Sequence, residues 1–225
     1  VLITGGTGFI GQALCARLLQ AGHTVSVLTG DPARARAQLP GVDAIATLEE
    51  ASGVEAVENL AGEPLMAGRW NAERKAAFRA SRIGTTQALI AWMARQAARP
   101  RVLVSGSAIG YYGPRDDVAL DESAAPGDDF AARLCLDWET EAMQAESLDV
   151  RTCRVRTGTV LGTEGGALAK MLPPFRMGVG GPMGDGRQWM SWIHRDDLVS
   201  LVQWLLERDQ AGGAYNGTAP PPVSN

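Results

Sequence analysis

Apolar positions along the chain alternate between two rhythms. A short apolar run at residues 1–4 leads into a glycine-dense stretch at 5–11, and a helix-period stretch follows at 13–21, closed by Gly22 as a C-terminal glycine. Residues 25–28 read as the next strand. Strand, glycine loop, helix and strand within about 30 residues make a βαβ unit, whose parallel strands need a right-handed crossover. Beyond it the pattern predicts a weakly marked strand at 43–47 and a strand at 54–60 that runs into Asn59-Leu60-Ala61-Gly62. A long helix at 70–98 and a buried strand at 101–105 come next. A loop rich in Gly, Pro and Asp reaches residue 129, followed by a helix at 130–146 and a strand at 150–155. This alternation predicts an α/β fold, an open doubly wound parallel sheet of Rossmann type with ligands at the carboxyl ends of its strands.

From residue 156 the alternation breaks, and Gly and Pro cluster at 158–186. The expected organisation is a dinucleotide-binding domain at 1–155. A small C-terminal substrate lobe at 156–225 is interleaved with the last sheet elements. The chain opens directly on a strand without methionine and stops at Pro-Pro-Pro-Val-Ser-Asn, where Ser224 or Asn225 would cap a helix that does not follow. It is therefore expected to be a piece of a longer protein.

Composition narrows the function classes. With 45% hydrophobic and 20% charged residues the chain is an ordinary globular sequence. A net charge of −4 provides no basic field for a phosphate backbone, so nucleic acid is not an expected partner. No apolar run approaches the roughly 20 residues of a membrane span and no signal peptide precedes the first strand, so no membrane partner is expected. Cys15, Cys135 and Cys153 are far apart and form no zinc pattern. They read as buried thiols of a reducing, cytoplasmic compartment, with no metal site.

The candidate chemistry begins at Gly5, Gly6, Thr7, Gly8, Phe9, Ile10 and Gly11. Glycines after a strand and before a helix allow a tight turn and let backbone N–H groups approach a pyrophosphate, which the helix N-terminus also attracts. The expected cofactor is NADP, with NAD as the alternative. Asp31 lies where an acidic side chain takes the ribose hydroxyls of NAD, while Arg34 and Arg36 stand close behind for a 2′-phosphate. Asp31 before Pro32 is also an ordinary helix start.

These residues resemble the extended short-chain dehydrogenase/reductase superfamily. The motifs that carry the likeness are TGGTGFIG, NLAG and a strand ending SGSA. The longer series NLAGEP, SRIGTT, SAIGYYG, RTGTVLG and LPPFRMGVGGPMGDGRQWMSWIHRDDL is similar to its atypical branch, the epimerase family proteins, whose members carry a further C-terminal segment. The resemblance implies phosphates on Gly5 to Gly11, the adenosine ribose near Thr29 and Gly30, and the adenine and ribose side flanked by Leu60, Ala61 and Gly62. It also implies a cofactor contact at Arg82 and a nicotinamide backed by Val160. The branch often has Arg where this chain has Gly30, so the role of Arg in NADP preference passes to Arg34 or Arg36.

Reductases and epimerases of that superfamily hold the substrate oxygen with Ser or Thr and use Tyr as acid/base. A Lys four residues beyond lowers the tyrosine pKa. Ser107 matches the serine. No tyrosine and lysine stand at Tyr-x-x-x-Lys spacing, and FAARLCLDWE occupies the segment where the pair would fall. Tyr111 and Tyr112 lie near enough to replace the phenol, against a plain packing role. Asp196 and Asp197 read as first-turn acids of a helix. His194 reads as a proton shuttle or a structural residue. Arg176, Arg187 and Trp189 read as a grip for a nucleotide diphosphate or as a solvated face.

Two functions follow. One is an NADP(H)-binding epimerase or oxidoreductase acting on a nucleotide sugar or other carbonyl or hydroxyl compound. The other is a non-catalytic NADP(H)-sensing regulatory or scaffold protein. The oligomeric state stays open.

Overall fold

The structure is a computed structural model that describes residues 1–65, 68–182, 184–220 and 222–224. Asn225, one of the two expected caps, lies outside the described residues. The first crossover forms where the glycine pattern predicts it: β1 (Leu2–Thr4), α1 (Phe9–Gln20) and β2 (Ser26–Leu28). The chain continues through α2 (Pro32–Gln38), β3 (Asp43–Ile45), β4 (Ala56–Asn59) and α3 (Ala72–Arg79). A π-helical turn, Ala80–Gly84, joins α3 to α4 (Thr85–Ala94). Then come β5 (Val102–Ala108), α5 (Phe130–Met143) and β6 (Arg151–Thr157).

The residues after β6 leave the sheet and return to it. β7 (Thr159–Gly162), α6 (Gly166–Arg176), β8 (Trp189–Met190) and β9 (Trp192–His194) form the excursion. α7 (Arg195–Glu207) and β10 (Gly213–Gly217) then rejoin the main body, and β11 (Val223–Ser224) pairs antiparallel with β8. The sheet has seven strands in the order β10-β6-β5-β4-β1-β2-β3, every neighbouring pair parallel. Order reverses between β1 and β4, so the cleft opens where their carboxyl ends diverge. β10 is absent from the apolar pattern because Gly213-Ala214-Tyr215-Asn216-Gly217 is an edge strand with little to bury.

Each face of the sheet is covered. One layer packs Leu14 and Leu18 of α1 and Leu198, Val202 and Leu205 of α7 against Ile3, Val27 and Val104. The other packs Leu89 and Met93 of α4 and Ala142 of α5 against Leu2, Val57 and Leu103. No helix among the described residues is long and apolar enough to cross a membrane.

Glu58 breaks this apolar logic. Side chains alternate along a strand, so Glu58 shares the face of Ala56 and points toward the α1 and α7 layer. It is 1% exposed, and neither carboxylate oxygen has a hydrogen-bond partner among the described residues. Burial raises its pKa well above 4.5. The native chain therefore keeps a proton that the unfolded chain releases, so this group lowers stability as pH rises above the ordinary carboxyl range. Within that window the loss amounts to about 1.4 kcal/mol per pH unit. Glu58→Val is expected to stabilise the chain, with the gain larger at pH 8 than at pH 5 in urea titrations. A gain that does not grow with pH would contradict the assignment.

Candidate functional site

Contacts that no side chain could share shape the glycine loop. Gly5 has φ of +70°, and a Cβ there would lie 2.7 Å from the Leu60 carbonyl oxygen. A Cβ at Gly11 would collide with the carbonyl oxygen of Gly5. These glycines bring the N-terminus of α1 down onto the ends of β1 and β4. Gly8 caps α1 without a side-chain hydrogen bond, so the first-turn N–H groups face the cleft unclaimed by a cap. That cradle fits the diphosphate of a dinucleotide. Thr7 is held through its carbonyl by Gln12 Nε2 at 2.8 Å, and Ile10 packs into the core. The Phe9 ring instead fills the space left by Gly162, Gly165 and Gly166, with the Arg195 guanidinium 5.2 Å above it. It joins the loop to the excursion.

At the end of β2, Thr29 is half-buried and Gly30 is exposed with open space where a side chain would start. Asp31 is a helix cap: its Oδ1 accepts from Arg34 N at 3.0 Å, and its own N–H donates to Thr29 Oγ1 at 3.2 Å. Arg36 donates to the Ala44 carbonyl at 2.7 Å. The Arg34 side chain is exposed.

A buried polar hub lies beneath the other wall. Thr4 Oγ1 donates to Asn59 Oδ1 at 2.7 Å, and Asn59 Nδ2 donates to Thr86 Oγ1 at 2.9 Å. Thr86 also accepts from Trp138 Nε1 at 3.1 Å and donates to the Arg82 carbonyl at 2.7 Å, within the π-helical turn. Ala61 N donates to Thr4 Oγ1 at 3.2 Å, which fixes the path of Leu60, Ala61 and Gly62. The Arg82 guanidinium lies against Gly62, over the Phe78 and Trp138 rings, and donates to the Glu63 carbonyl at 3.2 Å. Among the described residues it is in no ion pair, and burial lowers its pKa.

Ser107 is the penultimate residue of β5, beside α5. Its Oγ donates to Glu139 Oε1 at 2.7 Å, and Glu139 takes two bonds from the Arg156 guanidinium. Arg156 also donates to Tyr112 OH at 3.0 Å, and Tyr112 OH donates to Asn216 Oδ1 at 2.6 Å. Burial works against the Arg156 cation, but its hydrogen bonds to Glu139 and Tyr112 raise its pKa above the ordinary value. The Tyr111 ring lies 3.5 Å from Arg156 Cζ, and its hydroxyl donates no hydrogen bond among the described residues. Tyr112 is thus engaged on both sides of its oxygen, while Tyr111 covers the buried cation.

Ala131, Cys135 and Glu139 follow one another at helical spacing on α5, and Gly110 lies against Ala131 and Cys135. Ala131 and Cys135 hold the spacing of a Tyr-x-x-x-Lys pair with neither group. Burial pushes the Cys135 thiol up to about 11. Sequence reasoning missed Glu139, Arg156, Asn216 and the Thr86 hub. The WE of FAARLCLDWE and the second Arg of RVRT were on view, but nothing in one sequence pairs residues on different elements.

Val160 is part-buried, paired with Ile193 between β7 and β9. His194 caps α7, its Nδ1 accepting from Asp196 N at 3.2 Å, and Asp196 and Asp197 stand in the first turn. Trp189 Nε1 donates to Asp117 Oδ1 at 2.6 Å, tying the excursion to the loop after β5. Arg187 hydrogen-bonds Asp185 through its backbone, and Arg176 sits at the exposed end of α6.

Residues 1–216 match the model of the NAD dependent epimerase/dehydratase family. The chain is 43% identical to the chloroplastic epimerase family protein SDR39U1 homolog of Arabidopsis thaliana, over 99% of this chain and 67% of that protein. Human epimerase family protein SDR39U1, crystallised with NADPH, superposes with a TM-score of 0.88 at 35% identity, covering 99% of this chain and 75% of that one. A nucleoside-diphosphate sugar epimerase of Corynebacterium glutamicum superposes with a TM-score of 0.83 at 34% identity, covering 99% of this chain and 47% of that one.

The Thr86 hub has a measurable weight. Thr86→Val keeps the shape and leaves the Asn59 amide and Trp138 indole donors buried without a partner, an expected loss of about 3 kcal/mol in urea denaturation. A loss below about 1 kcal/mol would mean that the hub does not hold this wall.

Proposed function

Because the chain belongs to the NAD dependent epimerase/dehydratase family, we propose that it binds NADP(H) and acts on a nucleotide sugar or related carbonyl or hydroxyl compound. The observation that carries the cofactor is the cradle formed by Gly5, Gly8 and Gly11, where a Cβ would displace backbone. NADPH in human SDR39U1 favours the phosphorylated form. The name of the Corynebacterium protein favours the substrate class.

Gly5 to Gly11 would hold the diphosphate through main-chain N–H groups. Thr29, Gly30 and Arg34 would meet the adenosine ribose, with Arg34 available for its 2′-phosphate. Leu60, Ala61, Gly62 and Arg82 would line the opposite wall, and Val160 would back the nicotinamide. When bound, the cofactor supplies hydride chemistry. Ser107 would orient the reacting oxygen, and Tyr111 is the phenol available to exchange a proton, since Tyr112 is committed to Asn216 and Arg156.

The second reading is an NADP(H) sensor without turnover. Ala131 and Cys135 favour it, because neither supplies a phenol or a cation at the usual spacing. The two readings separate when NADPH absorbance is followed with a panel of nucleotide sugars and small carbonyls. Oxidation that Ser107→Ala abolishes supports the enzyme; tight NADPH binding without oxidation supports the sensor.

Cofactor preference has its own test. Calorimetry is expected to show tighter binding of NADPH than NADH. Gly30→Arg, which has open space for its side chain, is expected to widen that preference about tenfold through a charge-assisted bond to the phosphate. Tighter binding of NADH, or no effect of Gly30→Arg, would contradict the assignment of this corner.

A further inference from the structure

Two neighbours decide what Ser107 can bind. Its Oγ lies 2.7 Å from Glu139 Oε1. That carboxylate is gripped by Arg156, Nε to Oε1 at 2.9 Å and Nη2 to Oε2 at 3.0 Å. A carboxylate in an ion pair offers only lone pairs, so Ser107 must be the donor on the 2.7 Å line. A hydroxyl has one proton. Once that proton points inward, the oxygen presents only lone pairs to the cleft.

Cys135 also faces Ser107, and burial keeps it a neutral thiol, its pKa pushed up to about 11. It is at most a weak donor that takes one of the two lone pairs and leaves the other.

Arg156 is not free to release Glu139. Its Nη1 donates to Tyr112 OH at 3.0 Å and to the Glu122 carbonyl at 3.1 Å, and the Tyr111 ring lies 3.5 Å from its Cζ. The pair is 4% and 2% exposed.

Resting on the reading that Ser107 borders the ligand pocket, we infer that Glu139 is a positioning residue that fixes Ser107 as a hydrogen-bond acceptor. The ligand group seated against Ser107 is then a hydroxyl rather than a carbonyl. A carbonyl would meet lone pair with lone pair, or draw the serine proton away from a buried charged acceptor, the stronger partner. The site selects the alcohol member of an alcohol and ketone pair.

Glu139→Gln loosens this hold at nearly constant volume. Ser107 Oγ and Arg156 Nε share Oε1 and Arg156 Nη2 takes Oε2, so either seating of the amide sets its NH2 against an Arg156 donor, and neither offers Ser107 a charged acceptor. The Ser107 proton, held at best by a neutral amide oxygen, is then drawn more readily into the cleft to meet a carbonyl.

The test uses matched pairs in complexes where no hydride moves: cyclohexanol with protein and NADPH, cyclohexanone with protein and NADP+, and likewise UDP-glucose and its 4-keto derivative. The wild-type chain is expected to bind the alcohol about tenfold more tightly than the ketone, and Glu139→Gln to lose most of that preference; a preference kept in full by Glu139→Gln overturns the inference. Since Glu139→Gln also removes half of a buried ion pair, Ser107→Ala is measured alongside. It breaks no ion pair and should stay folded with the loss of one buried hydrogen bond, while ranking the two members equally. A wild-type preference for the ketone, equal binding of both members, binding of neither, or a preference that survives in Ser107→Ala overturns the inference. Failure of the wild type to bind either cofactor form sinks the cofactor reading and the inference with it.

Discussion

The closeness of Gly11 to the main chain of Gly5 and Gly6 is the constraint from which the rest of the cleft follows. With no Cβ in the way, α1 starts directly above the end of β1, and the amides of its first turn become the floor of the cleft. Leu60 presses against the same point from β4, so the loop that carries Ala61 and Gly62 rises beside the cradle rather than across it. The reversal of strand order between β1 and β4 supplies the opening. Loop, wall and opening are thus one arrangement, set by backbone contact.

The second wall is built on polar chemistry buried from water. Asn59, Thr86 and Trp138 tie the end of β4 to α5 and to the π-helical turn that carries Arg82, which is in no ion pair among the described residues. At the next position along α5, Glu139 joins Arg156, Tyr112 and Asn216 into a chain that reaches the edge strand β10. Ser107 joins this chain through Glu139. The side chains that shape its chemistry are therefore held by ion pairing and hydrogen bonds on three elements distant in sequence.

Much of this was legible in the residues alone. The βαβ unit, the strands at 101–105 and 150–155 and the helix from 130 carried strong periodic signals, because each buries a continuous apolar face. β10 was not legible, since an edge strand of Gly, Ala, Tyr and Asn has neither alternation nor apolar density. The π-helical turn at Ala80–Gly84 was hidden inside a correctly placed helical stretch, because one extra residue per turn hardly alters a 3.6-residue pattern. α6 lies within the stretch at 158–186 where Gly and Pro cluster and no helix was predicted; it forms with Pro173 and Pro174 in its last turn. Ser107 was singled out by its motif, whereas Glu139 and Arg156 were not, because what joins them is a contact between α5 and β6.

Residue-resolved hydrogen exchange on the intact chain, with and without NADPH, measures the central claim most directly. The expected result is slowed exchange at the amides of residues 6–12 and 61–63 on addition of NADPH, with the strands of the sheet unchanged. Unchanged exchange at residues 6–12 in a folded chain saturated with NADPH, or slowing confined to another surface, would contradict it.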